Sequence, residues 1–281
     1  MALSGSSPAA RTATRSLLPT NSPSQRGIMS VAPSENITER LERERDFHNA
    51  RFEHDDRDAQ LKYYDAIADC FRDYWARVGQ LSVGADILEY GCAYGDNAMR
   101  LAATARSATG IDISDVAIER GRAWARQKSL ANVRLEAMNA EAMSFPDNSF
   151  DLVFGSGIIH HLDVDRAFGE IARVLRPGGR AVFVEPLGLN PLIEFYRRLT
   201  PHARTPDEHP LVKRDFRSFD AAFGATSCKF YGLTTLAAVP FRRTAIKAPL
   251  FALTRAVDRT LFALPAVKWW AWYSLMEAEA A

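Results

Sequence analysis

Cysteine is scarce in this chain: the 281 residues hold three, and Cys70, Cys92 and Cys228 stand far apart. That spacing excludes a disulfide framework and a Cys-based zinc cluster, and it fits a reducing compartment. Surplus charge is missing too, since 35 Lys+Arg against 34 Asp+Glu leave a formal +1. Coating nucleic acid needs an excess of cations, so no nucleic-acid partner is expected. No run of about 18 uninterrupted apolar residues occurs, which argues against a spanning helix. Residues 1–34 contain no Asp or Glu, are rich in Ser, Thr, Ala and Pro, and carry Arg11, Arg15 and Arg26. Nothing there can form a core, so a disordered tail is the expectation. An Arg- and Ser-rich, acid-free start also has the composition of an organelle transit peptide, and a true start at Met29 is a third reading. The remainder, with hydrophobic residues at 47% of the chain and aromatics at 10%, suits a soluble, cytoplasmic globular protein.

What is present begins at Asn36-Ile37-Thr38-Glu39, a capping Asn with a Glu three residues on. A charged run to Asp58 follows. Then Tyr63, Tyr64, Ile67, Phe71, Tyr74 and Trp75 recur at i, i+3, i+4 spacing and predict a helical cover over residues 36–78. From residue 86 the pattern changes. Strands are predicted at Asp86–Tyr90, Ala108–Asp112, Val133–Ala137, Phe150–Gly155 and Arg180–Glu185, with helices near 96–106, 115–128 and 164–175. Asp163 is placed to cap the third helix, and Pro177-Gly178-Gly179 to stop it. Strands separated by single helices imply an α/β fold, a doubly wound, mostly parallel sheet with helices on both faces.

The first strand runs into Glu89-Tyr90-Gly91-Cys92-Ala93-Tyr94-Gly95, then Asp96-Asn97-Ala98, and the second ends Gly110-Ile111-Asp112-Ile113. A Gly-rich turn at a helix N-terminus lets a ligand approach the backbone, at the sheet edge where doubly wound folds bind ligands. A dinucleotide site wants G-x-G-x-x-G. Counting from Gly91, the glycines would fall at positions held by Ala93 and Asp96. Glu89 and Asp96 would also oppose a pyrophosphate. A positively charged, phosphate-free nucleoside turns those acids into assets, and Asp112 suits the two hydroxyls of a ribose. This pattern favours S-adenosyl-L-methionine over a nicotinamide dinucleotide.

Further blocks follow in register: Asn139-Ala140-Glu141 with Phe145-Pro146-Asp147, then His160-His161-Leu162 with Leu175-Arg176-Pro177-Gly178-Gly179. With these, residues 86–186 resemble class I S-adenosylmethionine-dependent methyltransferases of the broad type-11 group that includes quinone-biosynthesis enzymes. The resemblance implies a backbone cradle for the methionine part along Gly91, Cys92, Ala93 and Gly95. It implies that Glu89 supports the loop and the amino group, and that Asp112 holds the ribose hydroxyls while Ile113 packs on the adenine. Asn139, Ala140 and Glu141 would read the adenine edge, and Ser156 would sit beside the sulfonium. Two departures stand out. Ala93 replaces the usual middle glycine, and Asn139 replaces the usual acid, though its amide oxygen still accepts from an exocyclic amine.

His160 and His161 are the candidate bases for an acceptor that must lose a proton; capping or packing histidines are the alternative. No Asn/Asp-Pro-Pro motif follows the fourth strand, no Asp stands there for a metal-dependent catechol reaction, and no Cys nucleophile is apparent. No metal is therefore expected. The acceptor is expected to be a small hydrophobic or lipid-like molecule methylated at O, C or N. Residues 187–240 read as an acceptor-side insertion with the last strand or strands, including one at Ser227–Leu236. There Arg197, Arg198 and Arg204 would hold an anion or form a solvated face, and His209 is a weaker base candidate. Residues 241–281 read as a basic amphipathic helical tail ending in Trp269, Trp270, Trp272 and Tyr273, suited to docking on the sheet or to peripheral membrane contact. The domain expectation is a tail at 1–34 and a single domain at 35–281, with helices at 35–79 and a cofactor core at 80–186. A nicotinamide-dependent oxidoreductase and a non-catalytic adenosylmethionine-binding protein are the competing readings.

Overall fold

A computed structural model describes residues 37–54, 61–199 and 208–281; the expected tail, the capping Asn36 and Arg204 lie outside the described residues. The strands are β1 (Asp86–Tyr90), β2 (Ser107–Asp112), β3 (Val133–Ala137), β4 (Phe150–Ser156), β5 (Leu175–Pro186), β6 (Ala225–Tyr231) and β7 (Tyr273–Glu279). The helices are α1 (Ile37–His54), α2 (Ala68–Leu81), α3 (Asp96–Leu101), α4 (Asp115–Gln127), α5 (Val164–Val174), α6 (Pro191–Leu199), α7 (Lys213–Ala222), α8 (Thr235–Ala238) and α9 (Lys247–Leu261). Among the described residues the strands form one sheet in the order β3-β2-β1-β4-β5-β7-β6. Neighbours from β3 through to β5 pair in parallel, and β7 runs antiparallel between β5 and β6. The expected doubly wound α/β fold is what the chain adopts.

The sheet is buried on both faces because its central strands are apolar on both sides of the pleat. Leu88, Tyr90, Val153, Ala181 and Phe183 face the helices α5 and α7. Their neighbours Ile87, Leu152, Phe154, Val182 and Val184 face α2, α3 and α4. Helix α5 shows the matching period, burying Val164, Ala167, Phe168, Ile171 and Val174 along one stripe. Asp163 caps it as expected, accepting from the Arg166 amide at 3.2 Å.

Four local expectations are corrected. The helix expected over 96–106 ends at Leu101, because β2 begins early, at Ser107. Pro177-Gly178-Gly179 does not stop α5, which has already ended at Val174; the three residues form an irregularity inside β5. There the pairing with β4 jumps from Phe150–Leu175 to Leu152–Arg180, and the Gly178 amide donates to Ala280 at 3.0 Å. The strand expected to reach Leu236 ends at Tyr231, since Gly232 takes a φ of +79° and Leu233 to Thr235 turn to bind Asp258. The C-terminal tail is not helical throughout: Tyr273–Glu279 forms β7, in register with β5 from Arg180–Glu279 to Pro186–Tyr273. Its alternation of Ser274, Met276 and Ala278 with Leu275 and Glu277 is a strand period, which the adjoining tryptophans masked.

Gly121 in α4 reports how closely the helix meets the first crossover. A Cβ there would lie 2.2 Å from the Tyr94 carbonyl oxygen and 2.8 Å from Leu135. Helix propensity alone favours Gly→Ala by about 1 kcal/mol, whereas overpacking costs about 1–3 kcal/mol. Backbone cannot yield as a side chain can, so the steric cost wins. Gly121→Ala is expected to lower stability in urea unfolding; a rise in midpoint would show that α4 sits further out.

Candidate functional site

The strand order reverses between β1 and β4, and there the loops after β1, β2, β3 and β4 open a cavity of about 830 Å3. That size lies in the upper part of the range of about 300–1,000 Å3 for small-molecule sites. Glu89, Gly91, Cys92, Ala93, Asp112, Ile113, Asn139, Ala140, Glu141, Ser156, His160 and His161 all line it. Gly95 does not. It packs the loop against β3, where an added Cβ would meet Leu135 at 2.5 Å.

The Gly91–Gly95 turn is shaped by neighbours at both ends. At Gly91 (φ +72°) a Cβ would lie 2.7 Å from Ile158, so no side chain fits. Ala93 takes a φ of +51°, a left-handed conformation that costs an L residue roughly 1–2 kcal/mol. Asp112 holds the loop in that conformation. Its Oδ2 accepts from the Ala93 amide at 2.8 Å, and its Oδ1 accepts from Ser114 at 2.9 Å. A carboxylate has about four lone-pair sites, so two oxygens engaged by backbone still leave capacity toward the cavity. Cys92 is buried, and desolvation pushes its thiol well above the usual range; it is an inert packing residue.

Glu89 stands at the base of the loop, 5% exposed. Its oxygens accept from Asn97 Nδ2 at 2.7 Å and from the Ala98 amide at 2.8 Å, at the open N-terminus of α3. Burial outweighs these bonds and pushes the carboxyl up to about 7. Asn139 turns its amide oxygen onto the Glu141 amide at 2.9 Å, leaving one lone pair for a ligand. Tyr90 Oη fixes the Ala140 carbonyl at 2.7 Å. Glu141 is engaged elsewhere: both oxygens take the Arg40 guanidinium, and Oε1 also accepts from the Asp163 amide. With the bond from Ser114 Oγ to Asn49, that ion pair docks α1 over the cavity.

On the other side the organising group is Glu185, fully buried near the end of β5. Its Oε1 accepts from the Ile158 and Ile159 amides at 2.9 and 3.0 Å, and its Oε2 meets His160 Nδ1 at 2.7 Å. Sequence reading did not single out Glu185. The signal was an acid inside the apolar run Ala181–Val184, which has to find partners when buried. His160 Nε2 then faces Glu208 Oε1 at 4.0 Å. His161 is held below the usual imidazole range, chiefly by burial, against the opposing pull of Glu44. Arg197, also read as a solvated face, turns inward: 12% of its side chain is exposed, and it bonds Glu208 at 2.9 Å. Arg198 and His209 are exposed. The cavity wall also includes the aromatic and apolar side chains Leu41, Tyr64, Tyr74, Ile193, Leu236, Trp272 and Tyr273.

Comparison with known proteins gives the same reading. Residues 87–179 match the family model described as a methyltransferase domain. The uncharacterized methyltransferase YcgJ of Bacillus subtilis is 33% identical over 100 residues, 35% of this chain and 40% of that protein. Its crystal structure superposes with a TM-score of 0.54 at 19% identity, covering 75% of this chain and 98% of that one. The ubiquinone/menaquinone biosynthesis C-methyltransferase UbiE of Zymomonas mobilis is 35% identical over 118 residues, 41% of this chain and 48% of the relative. A geranyl diphosphate methyltransferase crystallised with GPP and sinefungin shares the fold, with a TM-score of 0.57 at 16% identity over 76% and 78% of the two chains. The chain spans less than half the length of these two curated relatives. The stretch that is similar to known methyltransferases, residues 87–179, is the one that holds the loop after β1, Asp112 and both histidines.

Proposed function

We propose that the chain transfers a methyl group from S-adenosyl-L-methionine to an O, C or N atom of a small hydrophobic or lipid-like acceptor. The observation that carries this reading is one continuous cavity with two unlike walls. The loop side is walled by Glu89, Asp112 and backbone, with Tyr74 close to Glu89, while Tyr64, Leu236 and Trp272 add an aromatic and apolar wall. The loop side fits the cofactor: acids oppose its ammonium and sulfonium charges, and Asp112 has lone pairs left for a ribose diol. When bound, S-adenosylmethionine supplies an electrophilic methyl whose transfer leaves a neutral thioether.

The chain's own contribution is positioning and exclusion of water. Glu89 holds the first turn of α3, Asp112 holds the loop, and α1 covers the cavity through Arg40–Glu141. His160, oriented by Glu185, presents Nε2 on the cavity wall and is the better placed of the two histidines to take a proton from a hydroxyl acceptor. The outer face of α9 adds a surface suited to a lipid source. Leu253 and Val257, with Ile246 just before the helix, are exposed beside Lys247 and Arg259.

Calorimetric titration with S-adenosylmethionine, S-adenosylhomocysteine and NAD tests the cofactor. The first two are expected to bind in the micromolar range. Asp112→Ala should weaken both by about tenfold or more, the worth of hydrogen bonds to a charged group. NAD binding alone would overturn the reading.

Glu89 adds a pH signature. Its folded pKa, near 7, lies above the usual 4.5, so the stability linked to its proton is full below about 4.5 and lost as pH rises through 7. A bound ammonium favours the ionised form. Cofactor binding is therefore expected to release protons near pH 7 and to tighten from pH 6 to 8, measured by calorimetry in buffers of different ionisation enthalpy. Flat affinity would remove Glu89 from the cofactor's reach.

For the surface, co-sedimentation with anionic phospholipid vesicles is expected, weakened by salt and abolished in Leu253→Asp/Val257→Asp. Equal pelleting with and without vesicles would rule out the membrane contact.

A further inference from the structure

The fold brings together three side chains that the sequence keeps apart. Glu44 and His48 stand one turn apart on α1, on one helix face. His161 reaches them from the short turn Ile159–His161 after β4. Glu44 Oε2 lies 3.4 Å from His48 Nε2 and 3.4 Å from His161 Nδ1. The three ligand atoms all lie within 4.8 Å of one another. The side chains are 7%, 19% and 11% exposed, and all three border the cavity.

Both 3.4 Å contacts are long, and Glu44 and His161 are hydrogen-bonded across theirs. The two distances equal the edge of a tetrahedron whose metal–ligand bonds are about 2.1 Å, the length found for zinc with imidazole and carboxylate ligands. Two imidazoles and one carboxylate also form a donor set that binds zinc or iron(II) while leaving a coordination position open. The neighbouring group of His160, His161 and Glu208 is less suitable. Glu185 holds His160, and Glu208 bonds Arg197.

We propose that Glu44, His48 and His161 hold one divalent transition-metal ion of the zinc class, with an open position facing the acceptor end of the cavity. There the ion would bind an oxygen of the acceptor (hydroxylate, carboxylate or phosphate) and fix it near the transferable methyl. This second part rests on the methyltransferase reading; ion binding does not. The ion also ties α1 to the loop after β4, so the cover and the acceptor end close together. The reading changes the place of His161, expected from sequence as a base, to that of a ligand.

The test uses the full chain, stripped with EDTA and titrated with Co2+, a spectroscopic probe for zinc sites, with Zn2+ as competitor. One equivalent should bind with the intense visible bands of a four-coordinate ion, and Zn2+ should erase them. Glu44→Gln and His48→Gln should each lose the bands and bind at least about tenfold more weakly. S-adenosylhomocysteine binding, measured in the same variants, should persist and show that they are folded. The half-buried His48 provides the milder variant if Glu44→Gln unfolds. Absence of saturable Co2+ binding in the native chain, or bands unchanged in both variants, would overturn the site. A native chain that binds S-adenosylhomocysteine but no Co2+ would sink the metal site and leave the methyltransferase reading standing. Co2+ binding without S-adenosylhomocysteine binding would do the reverse.

Discussion

One carboxylate joins the two loops on which the cofactor half of the cavity depends. Asp112 accepts from the Ala93 amide in the first crossover and from the Ser114 amide in the second. With the Gly95 amide, which closes the turn on the Cys92 carbonyl at 2.8 Å, it opposes the cost of holding a non-glycine residue at a φ of +51°. That conformation turns the Gly91–Gly95 backbone toward the cavity. Glu89 completes the arrangement from below by bonding the first turn of α3. The loop is thus shaped before any ligand arrives, which reduces the ordering that binding must supply.

Glu185 plays the corresponding part on the acceptor side. Buried completely, it satisfies itself by collecting two loop amides and His160, so its desolvation is offset only when the loop after β4 has one conformation. The two sides meet at the sheet because β1 and β4 are neighbours. Registration of these strands, set by burial on both faces, therefore also sets the distance between the cofactor loop and the histidines.

The sequence revealed those parts of the molecule that depend on local pattern. The five parallel strands, the Asp163 cap and the Asp112 carboxylate beside the loop could be read because apolar period, turn chemistry and motif spacing lie within a few dozen residues. What escaped was fixed by distant partners. Glu185 looks like a stray acid in an apolar strand until Ile158, Ile159 and His160 fold back on it. Arg197 looks solvated until Glu208 stands beside it. Asp258 stands in a basic stretch of sequence, yet it is buried and binds Leu233, Thr234 and Thr235. Glu44 and His48 belong to a charged run with no pattern of its own, and it is the docking of α1 through Arg40–Glu141 and Asn49–Ser114 that gives them His161 as a neighbour. Strand β7 depends on pairing with β5 and β6 at once, so a window over the tail alone shows tryptophans rather than an edge to be filled.

The region matched by the family model has a chemical meaning of its own. Residues 87–179 hold the Gly91–Gly95 loop, Asp112, Asn139 and both histidines, the residues to which the proposed function gives the cofactor and the transferred methyl. Aromatic and apolar parts of the cavity wall are supplied from outside that stretch, by Tyr64, Tyr74, Ile193, Leu236, Trp272 and Tyr273. A relative named for quinone biosynthesis is similar over 41% of this chain, and a geranyl diphosphate methyltransferase shares the fold. One core can present a methyl group to many acceptors because its loops answer only to the cofactor. Choice of acceptor then falls to the cover and the C-terminal segments, which in this chain combine an apolar wall, an inward-turned Arg197 and a cluster of Glu44, His48 and His161. On the proposed function, an apolar body with one oxygen-bearing, anionic or metal-binding end is the shape of molecule that satisfies all three.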